Sequence, residues 1–264
     1  MTDVDLPGSA SSSATPPASS PKWFHFRGWI LLLLPVAVLL LLAIYVPRQM
    51  QQARALAALK KLDIPIRTQP LPIPGIEQWI GKEYAVEVID VYMREPRIQD
   101  ADLNAISGLR SLQKLELVGS QVTSSGLANL KSLPNLYILH LANTPITDEG
   151  LVQLARFPNL GILSLDQTAI TDEGLRHVGA LPHLERLYLD GTKITDKGLE
   201  YLSAAEGLVE LSCVGTPITD AGIQHLYGLK NLEVLKVYNT SVTREALEKL
   251  HAVLPQCMIW EPSE

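Results

Sequence analysis

From Leu112 onward the apolar positions keep one period. Leucine returns at 136, 160, 184, 208 and 232, every 24 residues and without an insertion. With Leu112 as position 1, position 4 is leucine in six copies, from Leu115 to Leu235. Position 6 is Leu117, Leu141, Leu165 and Leu189, then Cys213 and Val237. Position 11 is Val122, Ile146, Ile170, Ile194, Ile218 and Val242, and position 16 is leucine or isoleucine from Leu127 to Leu247. Counting back 24 from Leu112 finds a degenerate first copy, with Val88, Val91, Met93, Ile98, Leu103 and Ile106 in the same places. Seven copies therefore cover 88–255.

Within each copy the pattern changes its period. Apolar positions 4 and 6 alternate with variable positions 3, 5 and 7, which predicts a strand with one buried face. Positions 16, 19 and 22 are three apart, one side of a helical turn. A single copy cannot enclose a core, whereas stacked copies share a continuous aliphatic column. The expected fold is an α/β solenoid, with a curved parallel sheet on its concave face and helices on its convex face. Thr147 with Asp148, and their equivalents at 171/172, 195/196 and 219/220, are placed to cap the helices. Thr144, Thr168, Thr192, Thr216 and Thr240 at position 9 are suited to satisfy backbone groups of the turn. Gly126, Gly150, Gly174, Gly198 and Gly222 at position 15 indicate either crowding or a special turn.

The string L-x-x-L-x-L-x-x-T-x-I resembles the leucine-rich repeat family, over 168 of 264 residues and in six registers at once. It departs from the family's usual pattern at position 9, where asparagine or cysteine is commoner than threonine. The I-T-D-x-G-L variant looks like bacterial members with a helical outer side. Some relatives carry an F-box, and no such segment is found in this sequence. The resemblance implies a protein-binding scaffold.

The N-terminal third follows other patterns. Residues 1–22 are dominated by Ser, Ala and Pro, offer no apolar face and are expected to be disordered. Residues 28–47 are 20 uncharged residues between Arg27 and Arg48, long enough as a helix to span about 30 Å of bilayer core. With Trp23, Trp29 and Tyr45 near its ends, the segment 23–48 is expected to be an uncleaved transmembrane anchor; the apolar core of a signal peptide is shorter. Residues 49–75 read as a stalk, first helical and then extended, with four prolines in 64–75. Residues 76–87 are expected to cap the solenoid's first edge with a short helix carrying Trp79 and Ile80. Residues 256–264 are expected to supply a last capping strand and a tail.

Charge changes the picture more than composition does. Residues 1–83 hold 8 Lys/Arg against 5 Asp/Glu, and the remainder 14 against 23. An acidic repeat region argues against nucleic acid. Flanking charges do not decide which side of the membrane the repeats occupy, with a slight lean to the outside. The two cysteines, Cys213 and Cys257, fall roughly 10 Å apart in the expected stack, too far for a disulfide. A calcium column of Asp148, Asp172, Asp196 and Asp220 lacks the clustered oxygens that ion needs. No metal or cofactor is expected.

Function is expected where packing leaves residues free, on the concave positions 3, 5 and 7. The candidates for partner contact are Tyr92, Arg94, Glu116, His140, Ser164, Asp166, Arg186, Tyr188, Asp190, Lys236 and Tyr238. Apolar Val118, Ile138, Ala142, Ile162, Val214 and Val234 lie among them. His140, Ser164, Asp166 and Asp190 have the residue types of a hydrolase triad, but a flat sheet supplies neither a strained nucleophile turn nor an oxyanion hole. The expectation is a non-enzymatic, membrane-held scaffold binding a protein partner. A purely structural envelope or assembly element is the alternative.

Overall fold

The computed structural model describes residues 43, 47–72, 74–82, 85–131 and 133–260. The chain divides into two compact units, Met1–Pro47 and Arg48–Glu264. The tail 1–22 and, apart from residues 43 and 47, the apolar span 28–47 lie outside the described residues. Among the described residues no helix is long and apolar enough to cross a membrane.

The second unit is built on a nine-stranded sheet whose strand order follows the sequence. Strand β2 (Val86–Tyr92) belongs to the degenerate first copy. It is followed in parallel by β3 (Lys114–Glu116), β4 (Ile138–His140), β5 (Ile162–Ser164), β6 (Arg186–Tyr188), β7 (Glu210–Ser212), β8 (Val234–Lys236) and β9 (Met258–Trp260). Cα partners are 24 residues apart throughout, as in Leu139↔Leu163↔Leu187. The sequence period is thus the strand register. Positions 4 and 6 are fully buried from Leu115 to Leu235, and one apolar cluster runs from Ala55 to Cys257. Burying a leucine side chain contributes about 1.5–3 kcal/mol, so the column dominates the stability of the unit.

The other side of each repeat is a short helical piece. These are α3 (Ser124–Asn129), α4 (Asp148–Leu151), α5 (Asp172–Val178), α6 (Asp196–Leu202), α7 (Asp220–Gln224) and α8 (Arg244–Val253). The first repeat has only a 3-10 turn, Asp100–Ala105, and α4 passes into another at Val152–Arg156.

Three polar devices recur between strand and helix. Position 8 has left-handed backbone in six copies, with φ from 55° to 70°, held by Gly119, Asn143, Gln167, Gly191, Gly215 and Asn239. Each position-9 threonine donates its hydroxyl to the carbonyl at position 6, for example Thr192 Oγ1 to Leu189 O at 2.6 Å. The third device joins neighbours. The carboxylate of Asp172 accepts from the N–H and the hydroxyl of Thr195 in the next repeat, both at 2.7 Å. Asp100–Thr123, Asp148–Thr171, Asp196–Thr219 and Asp220–Thr243 repeat the clasp. The aspartates therefore hold the following repeat as well as standing at the start of their own helix. They also explain the position-15 glycines. A Cβ on Gly174, Gly198 or Gly222 would lie 2.4–2.6 Å from the preceding repeat's aspartate Oδ1, so crowding rather than a special turn selects glycine there.

The stretch expected to be a stalk is a structural part of the unit. Residues 48–61 form helix α1, whose buried positions Gln52, Ala55, Leu56 and Leu59 make a stripe at i, i+3, i+4 and i+7. Ala55, Leu56, Leu59 and Ile64 belong to the common core. Arg48 reaches Glu87 at 3.0 Å and Ser111 at 3.1 Å, and Gln51 donates to Ser107 O at 2.9 Å. Residues Ile66–Pro70, read as extended spacer, form β1, antiparallel to β2. The physical reason is the open first edge, which would otherwise expose Val88, Val91 and a row of unpaired backbone groups. The short helix expected between 76 and 87 is α2 (Glu77–Ile80), and the side chains of Trp79 and Ile80 lie outside what is described.

Candidate binding face

The face of the sheet opposite the core carries the side chains of positions 3 and 5, joined by position 7 just beyond each strand. At the β2–β4 end these are tied into an ionic knot. Glu116 is buried, yet its carboxylate receives Arg94 and, at 2.7 Å, Lys114, with His140 Nδ1 3.8 Å away. Burial alone would push its carboxyl up, but the two cations outweigh that and hold it below the ordinary carboxylate value. Arg94 and Lys114 both lie over the Tyr92 ring, at 5.2 and 5.5 Å from its centroid. The Tyr92 hydroxyl donates to Asp90 at 3.1 Å, and Asp90 is also paired with Arg67 of β1 at 2.6 Å. Burial lowers the pKa of His140, with Glu116 opposing, which keeps the imidazole neutral at pH 7.

In the middle the polar groups are spent on the loops. Ser164 donates to Asp166 at 2.8 Å, and Asp166 accepts the Asp190 N–H at 2.9 Å. Asp190 in turn accepts from Ser212 Oγ at 2.6 Å and from the Val214 N–H at 2.9 Å. Burial raises the pKa of Asp166 while these bonds work against it. Ser164 thus gives its proton to Asp166 and not to His140. Ile138 and Ile162 are half-buried neighbours on β4 and β5. Further along, Glu210 accepts Lys236 at 2.7 Å and approaches Arg186 at 4.0 Å, and the Lys236 ammonium lies 5.7 Å from the Tyr188 ring centroid.

Two stretches of the chain, 132–155 and 180–203, match the family model described as leucine-rich repeat. Each is one 24-residue period, taken from alternate copies of the register traced above. These are leucine-rich repeats. The fold of this chain is similar to the crystal structure of an internalin C2 from Listeria monocytogenes. The TM-score is 0.54 and the identity 22%, over 72% of this chain and 86% of that one. No curated protein matches the chain.

The leucine-rich repeat face sorts the candidates by what they still offer. Glu116 and Ser164 are buried, Asp166 and Asp190 brace the next repeat, and Tyr92 is sandwiched under two cations. Arg94, Arg186 and Tyr238 keep exposed atoms, and His140, Tyr188 and Lys236 are half-buried. Two residues escaped the sequence reading. Met258 and Trp260 pair with Val234 and Lys236, so they hold positions 3 and 5 of an eighth row. They are 59% and 52% exposed. The signal was present in the count of 24 from Val234 and Lys236, but the strand was read as a lid and not as part of the face.

Proposed function

We propose that this chain is a non-catalytic scaffold that binds a protein partner through the open, concave face of its leucine-rich repeat sheet. The observation that carries this reading is the face itself. Eight parallel strands, about 4.8 Å apart, present a firm surface on which Ile138, Ile162, Tyr188, Val234, Tyr238, Met258 and Trp260 stand among fixed charges. Aromatic and aliphatic anchors with a polar surround are what protein interfaces use. Because the charges are already tied into the knot and the Asp–Ser chain, binding requires little side-chain ordering, which reduces its entropic cost.

The membrane is the second part of the proposal. Residues 28–47 hold the chain in a bilayer as a single-pass anchor, with the repeats on the extracytoplasmic side. Support comes from the length and uncharged character of that span. An engineered surface cysteine, probed in intact cells with a membrane-impermeant reagent, tests the side: protection of the cysteine refutes it.

Capture of partners on the full chain tests the first part. Tyr188→Ala with Tyr238→Ala removes a specific partner seen with the wild type. If every captured protein is retained by that variant while its cellular placement changes, the chain is a structural element and the binding proposal fails.

A further inference from the structure

The two edges of the sheet are built differently. β1 carries Arg67, ends on Pro70, and its pairing with β2 slips between Arg67 and Thr68. Charge, proline and a bulge are three ways in which proteins keep a sheet edge from recruiting another strand. β9 uses none of them. Met258, Ile259 and Trp260 are uncharged, contain no proline and keep unbroken register with β8. β9 is last in the sheet order, so among the described residues nothing pairs with its outer side. Its side chains are as open as its main chain, with Met258 and Trp260 each more than half exposed.

We propose that β9 is a dimerisation edge: it pairs antiparallel with β9 of a second copy about a two-fold axis through Ile259. The triplet is self-complementary in that arrangement. Met258 of each copy lies opposite Trp260 of the other, so one two-fold contact repeats a thioether–indole pair twice, a favourable combination. No charge on the strand meets its like, although the whole chain carries a net charge of −6. A two-fold axis perpendicular to the sheet keeps both open faces on one side and joins them across the seam. The edge works in this way whatever the open face binds. A three-residue pairing is short, which makes the dimer weak and concentration-dependent.

The test uses the full chain in detergent. Sedimentation equilibrium over about a hundredfold concentration range gives a monomer–dimer fit. Trp260→Lys weakens the dimer at least about tenfold with an unchanged circular dichroism spectrum. Geometry is read separately by mixing copies carrying Met258→Cys with copies carrying Trp260→Cys, all in a Cys257→Ala background. Opposed residues in an antiparallel pair lie about 4.5–5.5 Å apart at Cα, within disulfide reach, so the mixture cross-links on mild oxidation well above either variant alone. A monomer at every concentration, a dimer indifferent to Trp260→Lys, or a mixture that cross-links no better than its components overturns the proposal. A monomer whose Trp260→Lys variant loses a captured protein also overturns it, and assigns the edge to a foreign strand.

Discussion

Glycine at position 15 and aspartate at position 13 of the preceding repeat form a coupled pair, and a double-mutant cycle on Asp172 and Gly198 exposes the coupling. Asp172→Ala deletes both bonds to Thr195, each 2.7 Å long, and leaves a half-buried N–H without its acceptor. Hydrogen bonds to charged groups are worth about 1.5–3 kcal/mol when buried. At half-exposure the lower end applies, so the variant loses about 2–3 kcal/mol for the pair. Gly198→Ala places a Cβ 2.6 Å from Asp172 Oδ1 and 3.0 Å from Leu175 Cδ1. The carboxylate must swing away and lose one of its bonds, a cost of about 1–2 kcal/mol. That exceeds the gain of about 0.5–1 kcal/mol from replacing glycine by alanine in a helix. Gly198→Ala alone therefore destabilises. In the Asp172→Ala background the obstructing oxygen is gone, the remaining contact is the flexible end of Leu175, and the same substitution stabilises by about 0.5 kcal/mol. Urea unfolding of fragment 48–264, followed by circular dichroism and tryptophan fluorescence, measures the cycle. Amide exchange at Thr195 supplies a local check and accelerates in both single variants. Equal effects of Gly198→Ala in the two backgrounds, within about 0.3–0.5 kcal/mol, would refute the reasoning.

Further expectations concern the core, the turn and the ionic knot. Leu163→Ala, at a fully buried position on β5, costs about 2–5 kcal/mol in the same unfolding assay. Thr192→Val keeps the shape but leaves Leu189 O without its donor, and costs about 1–2 kcal/mol. Glu116, held below the ordinary carboxylate value by Arg94 and Lys114 against its burial, stabilises the fold above that value. This contribution disappears as pH falls through the lowered folded value, so Glu116→Gln gives a shallower acid-side loss of urea midpoint than the wild type. Burial raises the Cys213 thiol pKa, and that of Cys257 to about 11, so neither thiol reacts with a disulfide reagent at neutral pH until urea unfolds the chain.

The repeats were legible because one requirement, a shared aliphatic column, writes itself into the chain six times over. Leu139 and Leu163 are 24 residues apart because they are neighbours on adjacent strands. The cap was misread because its requirement is met only once. The stripe Gln52, Ala55, Leu56 and Leu59 is a helix face of ordinary strength, and four prolines near Ile66 obscured a strand whose need arises from the open edge of β2. On the open face, periodicity located positions 3, 5 and 7 but carried no information about which polar groups would consume each other. That Ser164, Asp166, Asp190 and Ser212 form one chain depends on rotamers and half-ångström distances. Glycine at position 15 was visible, while its cause was not, since the crowding atom belongs to a residue 26 positions earlier, as with Asp172 and Gly198.

The clasp between repeats has one neutral rung. Where the other copies place aspartate, Ser124 meets Thr147, at 3.0 Å between hydroxyls and 3.1 Å to the N–H. A hydroxyl must divide itself between being donor and acceptor, whereas a carboxylate engages both of its partners with formal charge. The stack therefore has a cleavage plane between α3 and α4. Under load or mild denaturant the block bearing the cap would part there from the block bearing β9, before either loses its own order.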